Sequence, residues 1–520
     1  MLHDSVLQFE HLPLLPQATP PLSNLIRSIN LTWLSALYAA VTTVILIPAS
    51  IVIYRLYFHP LAKYPGPRLW AASRLPFAYT MTTGLLPYKI HEFHEKYGPI
   101  VRLAPNEISF TNEEAWADIY EKPRGLPQLQ KDQTQLYLAP GLAKSILTEP
   151  SDVAHGRMRR NFAHAVAEKT LRESEPILLK YFDKLIGRLR ENVDKPINII
   201  SWYEYTLFDT IGDLLFGQPF DCLERSSSHF WVALLYTWVK GATFLGMAER
   251  FPPLINVVMR LLPKHLRESE ITHRKLTIDM LDRRMKATDP RPDFLSRVLE
   301  FADTPTGMTY SEIMESSKVI MVGGAETSAS ALSAITYYLL STPSAMAKLT
   351  AEIRSAFKSE SEINMASVQS LKYTHAVIHE GLRLFPPLPG SMRRIVPAEG
   401  RLIAGHYMPG GTIVVVDTYA AGRSSRNFTR ATEFCPERQL GSDPEFQHDK
   451  LKAIRPFSVG PRDCLGKSLA LAEMKIILAR VVFNFDLQLL DQEKDWLAGI
   501  PVYTFWEKPP LMVKLSHAVR

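Results

Sequence analysis

Cys464 is the residue whose type and setting point most directly to chemistry. It lies in the stretch Phe457–Gly466, which reads Phe-Ser-Val-Gly-Pro-Arg-Asp-Cys-Leu-Gly. From Lys467 to Phe483 apolar residues recur at helical spacing, so the sequence predicts Cys464 on a glycine-bearing loop just before a helix. Unpaired N–H groups and the helix dipole favour an anion there, and we expect a thiolate. Such a thiolate is a nucleophile or a ligand for a soft metal.

The end of this stretch also resembles part of a phosphate-binding loop. Gly466, Lys467 and Ser468 match the last three residues of Gly-x-x-x-x-Gly-Lys-Ser. However, five residues rather than four separate Gly460 from Gly466, and no apolar strand run leads into the loop. The spacing therefore favours the thiolate interpretation.

A second candidate stretch, Gly-Gly-Ala-Glu-Thr at Gly323–Thr327, lies inside a long predicted helix. Thr309 and Glu312 form a capping-box pattern that starts this helix, and Pro343 closes it. Each interior glycine costs about 1 kcal/mol relative to alanine, so some neighbour should need the missing side chain. A flat macrocycle packed on the helix would be such a neighbour. A close crossing of two helices, with Glu326 a solvated acid, is the alternative.

Four further stretches bring charged residues together. His155 and Arg159 are four residues apart on one face of a predicted helix, and Glu380 and Arg383 are three apart on another. The basic run that begins at His155 lacks the interleaved aromatic residues of a nucleic-acid patch. The other charged stretches are Phe-Cys-Pro-Glu-Arg at 434–438 and Met-Arg-Arg-Ile-Val-Pro at 392–397.

The composition indicates the class of protein that carries these residues. With 520 residues, 46% apolar and 22% charged, the chain can form a globular protein with an ample core. The net charge of +6 is too small to suggest a nucleic-acid partner. Three cysteines exclude a disulfide framework and suit a reducing compartment, and Cys222 and Cys435 are expected to be packing residues.

The N-terminal part predicts a membrane-spanning helix. From Ser28 to Tyr54 there are 27 residues without a charged side chain or histidine. At ~1.5 Å per residue they give about 40 Å of helix, enough to cross a ~30 Å hydrocarbon core with some tilt. A cleaved signal peptide is disfavoured by the late start of the run. One basic residue precedes the run and four follow it, which places the C-terminal part in the cytoplasm. The basic residues are Arg27 before it and Arg55, Lys63, Arg68 and Arg74 after it.

The rest of the chain is predicted to be mostly helical. Residues 170–300 have helical patterns, whereas short strands are expected at 101–103 and 107–110 and a loop over 120–150. The stretch Phe230–Phe251 is dense in aromatic residues, among them Trp231, Tyr236, Trp238 and Phe244. Such a stripe is core packing or the roof of an apolar pocket.

Taken together, these stretches resemble the cytochromes P450 from about Tyr57 to the C-terminus. Four motifs occur in that family's order: Gly323–Thr327 is similar to (Ala/Gly)-Gly-x-(Asp/Glu)-Thr, Glu380–Arg383 to Glu-x-x-Arg, Phe434–Arg438 to Phe-x-Pro-Glu-Arg, and Phe457, Gly460, Arg462, Cys464 and Gly466 to the haem-binding Phe-x-x-Gly-x-Arg-x-Cys-x-Gly. Gln439 departs from the pattern, because an aromatic residue usually follows the third motif. The implied fold is mainly α with a small β region, preceded by an N-terminal transmembrane helix.

The resemblance also implies roles for these residues. Cys464 would be the axial thiolate ligand of the haem iron, and Glu326 and Thr327 would handle protons and iron-bound oxygen. The haem propionates would be held by Arg462, His155, Arg159 and Arg394, with Arg394 better aligned than Arg393. Glu380, Arg383 and Arg438 would form a buried ion-pair triad that fixes the loop before Cys464.

The same resemblance predicts a domain organisation and partners. The expected parts are a lumenal segment 1–27, a transmembrane helix 28–54, a Pro-rich hinge 55–68 and a haem domain 69–520. Haem b would be the cofactor. Since no flavin or nicotinamide segment is visible, NADPH electrons would come from a separate cytochrome P450 reductase on the same membrane, the endoplasmic reticulum.

The expected function is a haem-thiolate monooxygenase that acts on an apolar intermediate of fungal secondary metabolism, similar to trichothecene-pathway hydroxylases. Hydroxylation, epoxidation, multi-step oxidation and coupling all stay open, as does sterol demethylation. Two other classes are a haem-thiolate isomerase or dehydratase that needs no reductase, and a non-catalytic haem protein. The intact Glu326–Thr327 pair disfavours the former, and NADPH consumption with reductase would separate a monooxygenase from both.

Overall fold

The chain forms two compact units, one that ends at His59 and one that begins at Pro60. The structure is a computed structural model that describes residues 22–123, 125–135, 142–261, 264–287, 291, 293–301, 304–491, 493 and 495–519. The sequence analysis predicted a Pro-rich hinge over 55–68, and the two units divide within this stretch.

The first unit contains the predicted apolar helix. Helix α1 (Leu22–Ile53) is followed by one π-helical turn, Tyr54–Phe58. From Thr32 to Phe58 the residues are mostly apolar, with a mean hydropathy of 2.2, and none of them is buried, as expected for a helix that spans a membrane. The helix begins at Leu22 rather than at Ser28, and residues 1–21 of the predicted lumenal segment lie outside the described part of the chain.

The second half of the predicted hinge is not a free linker. Leu61 is fully buried, and Tyr64 is only 8% exposed. The Arg102 amide donates to the Pro65 carbonyl at 2.8 Å, and a Cβ on Gly66 would lie 2.4 Å from the Arg102 carbonyl oxygen. This segment is therefore packed into the second unit, where its close approach to the chain at Arg102 requires a glycine.

The second unit is mainly helical, as predicted. Its long helices bury one apolar face each, and the region 170–300 is helical over most of its described length. The helices are α2 (Arg68–Ala72), α3 (Leu75–Thr82), α4 (Leu86–Tyr97), α5 (Glu114–Tyr120), α6 (Asp152–Ala165), α7 (Glu168–Glu173), α8 (Glu175–Glu191), α9 (Ile199–Phe216), α10 (Cys222–Arg225), α11 (Phe230–Glu249), α12 (Pro252–Leu261), α13 (Lys264–Lys286), α14 (Phe294–Leu299), α15 (Tyr310–Ser341), α16 (Pro343–Ala356), α17 (Lys372–Leu384), α18 (Thr418–Arg423) and α19 (Lys467–Asn484).

The strands are short and form small sheets. The largest sheet has the order β1-β2-β8-β5-β3, in which β2 pairs parallel to β8 and the other neighbours are antiparallel. Both strands expected near residue 105 are present in it as β1 and β2. The strands are β1 (Ile100–Ala104), β2 (Glu107–Phe110), β3 (Gln130–Lys131), β4 (Pro196–Asn198), β5 (Arg394–Ile395), β6 (Arg401–Ile403), β7 (His406–Met408), β8 (Ile413–Val416), β9 (Phe485–Leu489), β10 (Val502–Tyr503), β11 (Phe505–Trp506) and β12 (Met512–His517).

Helix α15 is the central helix of the second unit. The Thr309 hydroxyl accepts from the Glu312 amide and the Glu312 carboxylate accepts from the Thr309 amide, so the predicted capping box is confirmed. The helix packs along α9, where the Tyr203 hydroxyl lies 3.0 Å from that of Thr336. It also packs against α19, where the Ser328 hydroxyl donates to Glu473 at 3.4 Å. The Gly323–Thr327 stretch is thus held between two buried helices.

The predicted triad Glu380, Arg383 and Arg438 is confirmed as a buried ion-pair network. Arg383 donates two hydrogen bonds to the Glu380 carboxylate, at 2.9 and 2.7 Å, and Arg438 donates a third at 2.9 Å. The triad residues are at most 2% exposed. Asp449 adds a second buried carboxylate on Arg438. Burial opposes ionisation of Glu380, but the two guanidinium groups outweigh it and lower the pKa of Glu380.

The network also orders the chain that leads to Cys464. The remaining donors of Arg383 bind the carbonyls of Ala431 and Glu433, at 2.6 and 2.9 Å, and Arg438 binds that of Thr429 at 2.9 Å. Gln439 donates to Glu380 at 3.4 Å, so the residue that departs from the family pattern joins the network.

We expect Arg438→Gln to destabilise the protein strongly, because it leaves Glu380 and Asp449 with less counter-charge in the interior. Breaking a buried ion pair costs about 3–5 kcal/mol. Urea unfolding of the full-length protein would measure this loss. The matched control is Arg172→Gln, because the Arg172–Glu168 pair is exposed on both sides and its loss should leave the unfolding midpoint unchanged. Equal stability of the two variants would contradict the assigned role of the triad.

Candidate functional site

The loop that carries Cys464 has a backbone that needs glycine at one position. Gly460 has φ +81°, and a Cβ there would lie 2.3 Å from the Tyr120 carbonyl oxygen. The loop closes on itself where the Cys464 amide donates to the Phe457 carbonyl at 2.8 Å. Gly466 then caps α19, which begins at Lys467 as predicted. The sequence motif thus encodes the loop conformation as well as the thiol.

The helix start is not the only influence on the Cys464 thiol. Although the Cys464 side chain is exposed at the loop, the protein packed around the thiol raises its pKa above the ordinary value, and the Asp463 carboxylate adds to this effect. The Gly466 amide and the neighbouring cations Arg159 and Lys467 partly offset it. A metal ion bound at this position would supply the further positive charge that favours the thiolate.

Arg394 is the most informative predicted site residue. It is 2% exposed, and its Nε and one of its terminal nitrogens, Nη1, have no hydrogen-bond partner in the described part of the chain. Burial lowers the pKa of Arg394 to about 10. Arg393, by contrast, uses its Nε to bind Glu107 at 2.7 Å and is part of the scaffold. The unmatched donors of Arg394 thus point to an anionic partner outside the protein chain.

Other basic side chains surround Arg394. Burial, with the nearby charges of Arg462 and Lys131, lowers the pKa of His155 to about 3, so its ring is neutral near pH 7. Burial and the charges of Arg394 and Arg462 lower the pKa of Lys131 well below its ordinary value. The Lys131 ammonium donates to the Leu147 carbonyl at 2.5 Å, and among the described residues no carboxylate forms an ion pair with it. The positive charges in this cluster repel one another, and an anion bound among them would reduce that repulsion.

Arg462 and Arg159 link this cluster to the Cys464 loop. Arg462 donates to the carbonyls of Glu149 and Pro150, at 2.6 and 2.9 Å, and pairs with Asp152 at 3.0 Å. Arg159 on α6 donates to the Asp463 carbonyl at 2.7 Å and pairs with its carboxylate at 2.5 Å. The structure therefore brings all four predicted propionate-binding residues to one place beside Cys464.

The two glycines of Gly323–Thr327 have different neighbours. A Cβ on Gly324 would lie 2.9 Å from a methyl carbon of Ile211 on α9, so this glycine allows the two helices to pack closely. A Cβ on Gly323 would meet nothing within 4 Å. The helix-crossing alternative thus explains Gly324, whereas the open space beside Gly323 is where a flat ring could lie. Thr327 is partly exposed on this helix, and its hydroxyl donates to the Gly323 carbonyl at 2.7 Å.

Glu326 is not a solvated acid. It is fully buried, and its carboxylate forms an ion pair with Lys508. The Ser330 hydroxyl donates to the same carboxylate at 2.8 Å. The environment of Glu326 thus includes a lysine from the far C-terminal part of the chain.

The comparison with known proteins decides the family. Residues 65–514 match the model of the family described as Cytochrome P450. The chain belongs to this family. The family fold is that of the second unit, mainly helical with small sheets, and the family implies a haem iron.

Several fungal P450 monooxygenases are similar to this P450 over nearly its whole length. The cytochrome P450 monooxygenase lcsI of Purpureocillium lilacinum is 39% identical over 476 residues, which cover 90% of this chain and 92% of the relative. The cytochrome P450 monooxygenase atr2 of Stereocaulon alpinum is 41% identical over 474 residues, or 90% and 93% of the two chains. The averantin hydroxylase of Dothistroma septosporum is 40% identical over 487 residues, or 93% and 91%. This P450 is accordingly an oxidoreductase of the monooxygenase type.

The residues of this P450 fit a haem. A haem offers two carboxylates, which match the unpaired donors of Arg394 and the surrounding cations. Its iron would accept a cysteine thiolate as a ligand, and Cys464 is the residue on the loop that could supply one.

Sequence analysis missed two residues of the site. Lys131 and Lys508 come from a short strand and from the segment after β11, and neither lies in a recognisable motif. On α11, which carries the predicted aromatic stripe, Val239, Thr243 and Met247 are buried. The ring centroid of Phe244 lies 5.7 Å from that of Tyr503. The side chains of Trp231 and Tyr236 lie outside the described part of the structure.

We expect Arg394→Met to weaken haem binding in this P450. A hydrogen bond to a charged group contributes about 1.5–3 kcal/mol, which corresponds to about 10–100-fold faster haem loss. Transfer of haem from the purified protein to excess apomyoglobin would measure the rate. Arg160→Met is the control, because Arg160 is exposed on the same helix as His155 and Arg159. If both variants lose haem at the wild-type rate, Arg394 does not bind the cofactor.

Proposed function

We propose that this P450 is a membrane-anchored monooxygenase that inserts one oxygen atom from O2 into an apolar small molecule of fungal secondary metabolism. Haem b is the proposed cofactor. The electrons are proposed to come from NADPH through a separate cytochrome P450 reductase. The observation that carries the proposal is the buried Arg394 in the basic cluster beside the Cys464 loop, because two of its donors have no hydrogen-bond partner among the described residues.

The proposal assigns each site residue a task. Arg394, Arg159, Arg462 and neutral His155 hold the two haem carboxylates, and Phe457, Gly460 and Gly466 shape the loop that presents Cys464. When bound, the haem supplies the oxygen chemistry, since thiolate ligation of its iron favours O–O cleavage.

Protons are handled by two side chains of α15. The Thr327 hydroxyl donates to the Gly323 carbonyl, next to the open space beside that glycine. From there a rotation about χ1 can offer its proton to a ligand in that space. Glu326, one residue earlier, is the proposed source that restores the proton, a general-acid role.

The exposed apolar helix α1 supports the membrane location. We propose that it crosses the endoplasmic reticulum membrane once and that the basic residues after it keep the haem unit on the cytosolic side. This side is where an NADPH-dependent reductase on the same membrane could deliver electrons.

The similarity to fungal monooxygenases supports the proposed substrate class. The name of one of them states hydroxylation of averantin, and averantin is therefore a suitable first probe. The full-length protein would be incubated with reductase, NADPH, averantin and 18O2. A product heavier by one labelled oxygen supports the proposal. NADPH consumption without labelled product from any probe of a wider apolar panel would contradict it.

We expect Thr327→Ala to reduce the product formed per NADPH by about tenfold or more, because proton transfer from a positioned group contributes about 10²–10⁴-fold. The measurement compares labelled product with NADPH consumed. Ser333→Ala is the matched control, since the Ser333 hydroxyl also donates to the carbonyl four residues earlier, at 2.7 Å, but is fully buried. Equal coupling in both variants, with normal haem content, would contradict the role of Thr327.

A further inference from the structure

Glu326 has no direct access to solvent. It is fully buried on α15, and a general acid that acts repeatedly must regain its proton after each turnover. The groups that touch its carboxylate are therefore the candidates for a proton route. Two of them are described, the Ser330 hydroxyl and the Lys508 ammonium.

Lys508 bridges Glu326 to a second carboxylate. Its ammonium pairs with Glu326, donates to the Ser330 hydroxyl at 2.8 Å and lies 3.4 Å from the Glu204 carboxylate on α9. The Lys508 side chain is 3% exposed, whereas that of Glu204 is 18% exposed. Burial lowers the pKa of Lys508, but the two carboxylates outweigh burial and raise it above its ordinary value.

The chain around Lys508 is fixed on both sides. The Trp506 indole donates to the Pro386 carbonyl at 2.8 Å, and the Trp496 indole donates to the Pro509 carbonyl at 2.9 Å. Pro509 and Pro510 restrict the backbone directly after Lys508. A lysine that is buried between two carboxylates loses its hydration, which costs free energy that an exposed lysine does not lose.

We propose that Glu204 and Lys508 form the proton-entry route to Glu326, with Lys508 as the relay between the two carboxylates. The inference rests on the proposed function, in which Glu326 is the general acid. A proton from solvent binds the Glu204 carboxylate. Lys508 gives one Nζ proton to Glu326 and takes the proton of Glu204 in return. Lys508 is then an ammonium again and Glu204 a carboxylate again, and Glu326 has gained one proton.

The first test follows turnover. Full-length haem-loaded protein with reductase is supplied with NADPH in H2O and in D2O. Lys508→Met should slow NADPH oxidation by about tenfold or more and increase the solvent isotope effect, and Glu204→Gln should do so more weakly. Lys508→Arg keeps the positive charge but should not restore the rate, because a guanidinium does not release its proton near neutral pH. Lys514→Met is the control, because Lys514 lies in the same C-terminal segment and pairs with the exposed Asp194 at 3.3 Å.

The second test needs no turnover. Without the ammonium, the buried Glu326 carboxylate loses its counter-charge, which favours the protonated form. The infrared spectrum of Lys508→Met should therefore gain a carboxylic-acid band that is absent from Lys508→Met/Glu326→Gln.

The inference is overturned if Lys508→Met, with normal haem content, keeps its rate within about twofold and its isotope effect, or gains no such band. If Lys508→Met does not fold, Glu204→Gln decides by the same rate and isotope criteria. Failure of the wild type to oxidise NADPH with reductase would instead contradict the proposed function, and the infrared test would still stand.

Discussion

The unpaired guanidinium of Arg394 imposes the constraint on which the site depends. Buried donors without acceptors cost about 1–3 kcal/mol each, and the neighbouring Lys131 and Arg462 add repulsion. An anion with two carboxylates would relieve this cost, so a bound haem would stabilise this part of the fold. The Cys464 loop shares contacts with this place through Arg159 and Arg462. Binding of the carboxylates and placement of the thiol are thereby linked.

Two sets of interior contacts, away from Arg394, hold the elements that surround the site. The Glu380–Arg383–Arg438 network holds the backbone that approaches the loop, and α15 is held between α9 and α19. The charges of the Glu380–Arg383–Arg438 network are paired with one another. Two donors of Arg394, by contrast, have no hydrogen-bond partner among the described residues. This contrast between satisfied and unsatisfied buried arginines separates scaffold from site.

Much of this could be predicted from sequence because the relevant residues are neighbours in the chain. The capping box at Thr309, the loop at Gly460 and the pair Glu380–Arg383 each lie within one local element, where spacing fixes geometry. The apolar helix α1 could be predicted just as directly from the length of its uncharged run. The packing of the segment after it could not, because the burial of Leu61 depends on residues elsewhere in the fold.

The contributions of Lys131 and Lys508 could not be predicted, because chain topology alone brings them to His155 and Glu326. The influences on the Cys464 thiol are of both kinds. The helix start is a local feature that the sequence shows, whereas the surrounding protein that raises the pKa of the thiol is brought there by the tertiary fold. Sequence spacing thus identifies the candidate ligand, while the charge of its thiol depends on the tertiary environment.

The most direct test of the account is the reduced, CO-bound difference spectrum of the purified full-length protein, recorded beside that of Cys464→Ser. The account predicts a red-shifted Soret band typical of a thiolate-ligated haem in the wild type and its loss in the variant. A folded wild-type protein without any haem spectrum, or an unchanged band in Cys464→Ser, would contradict it.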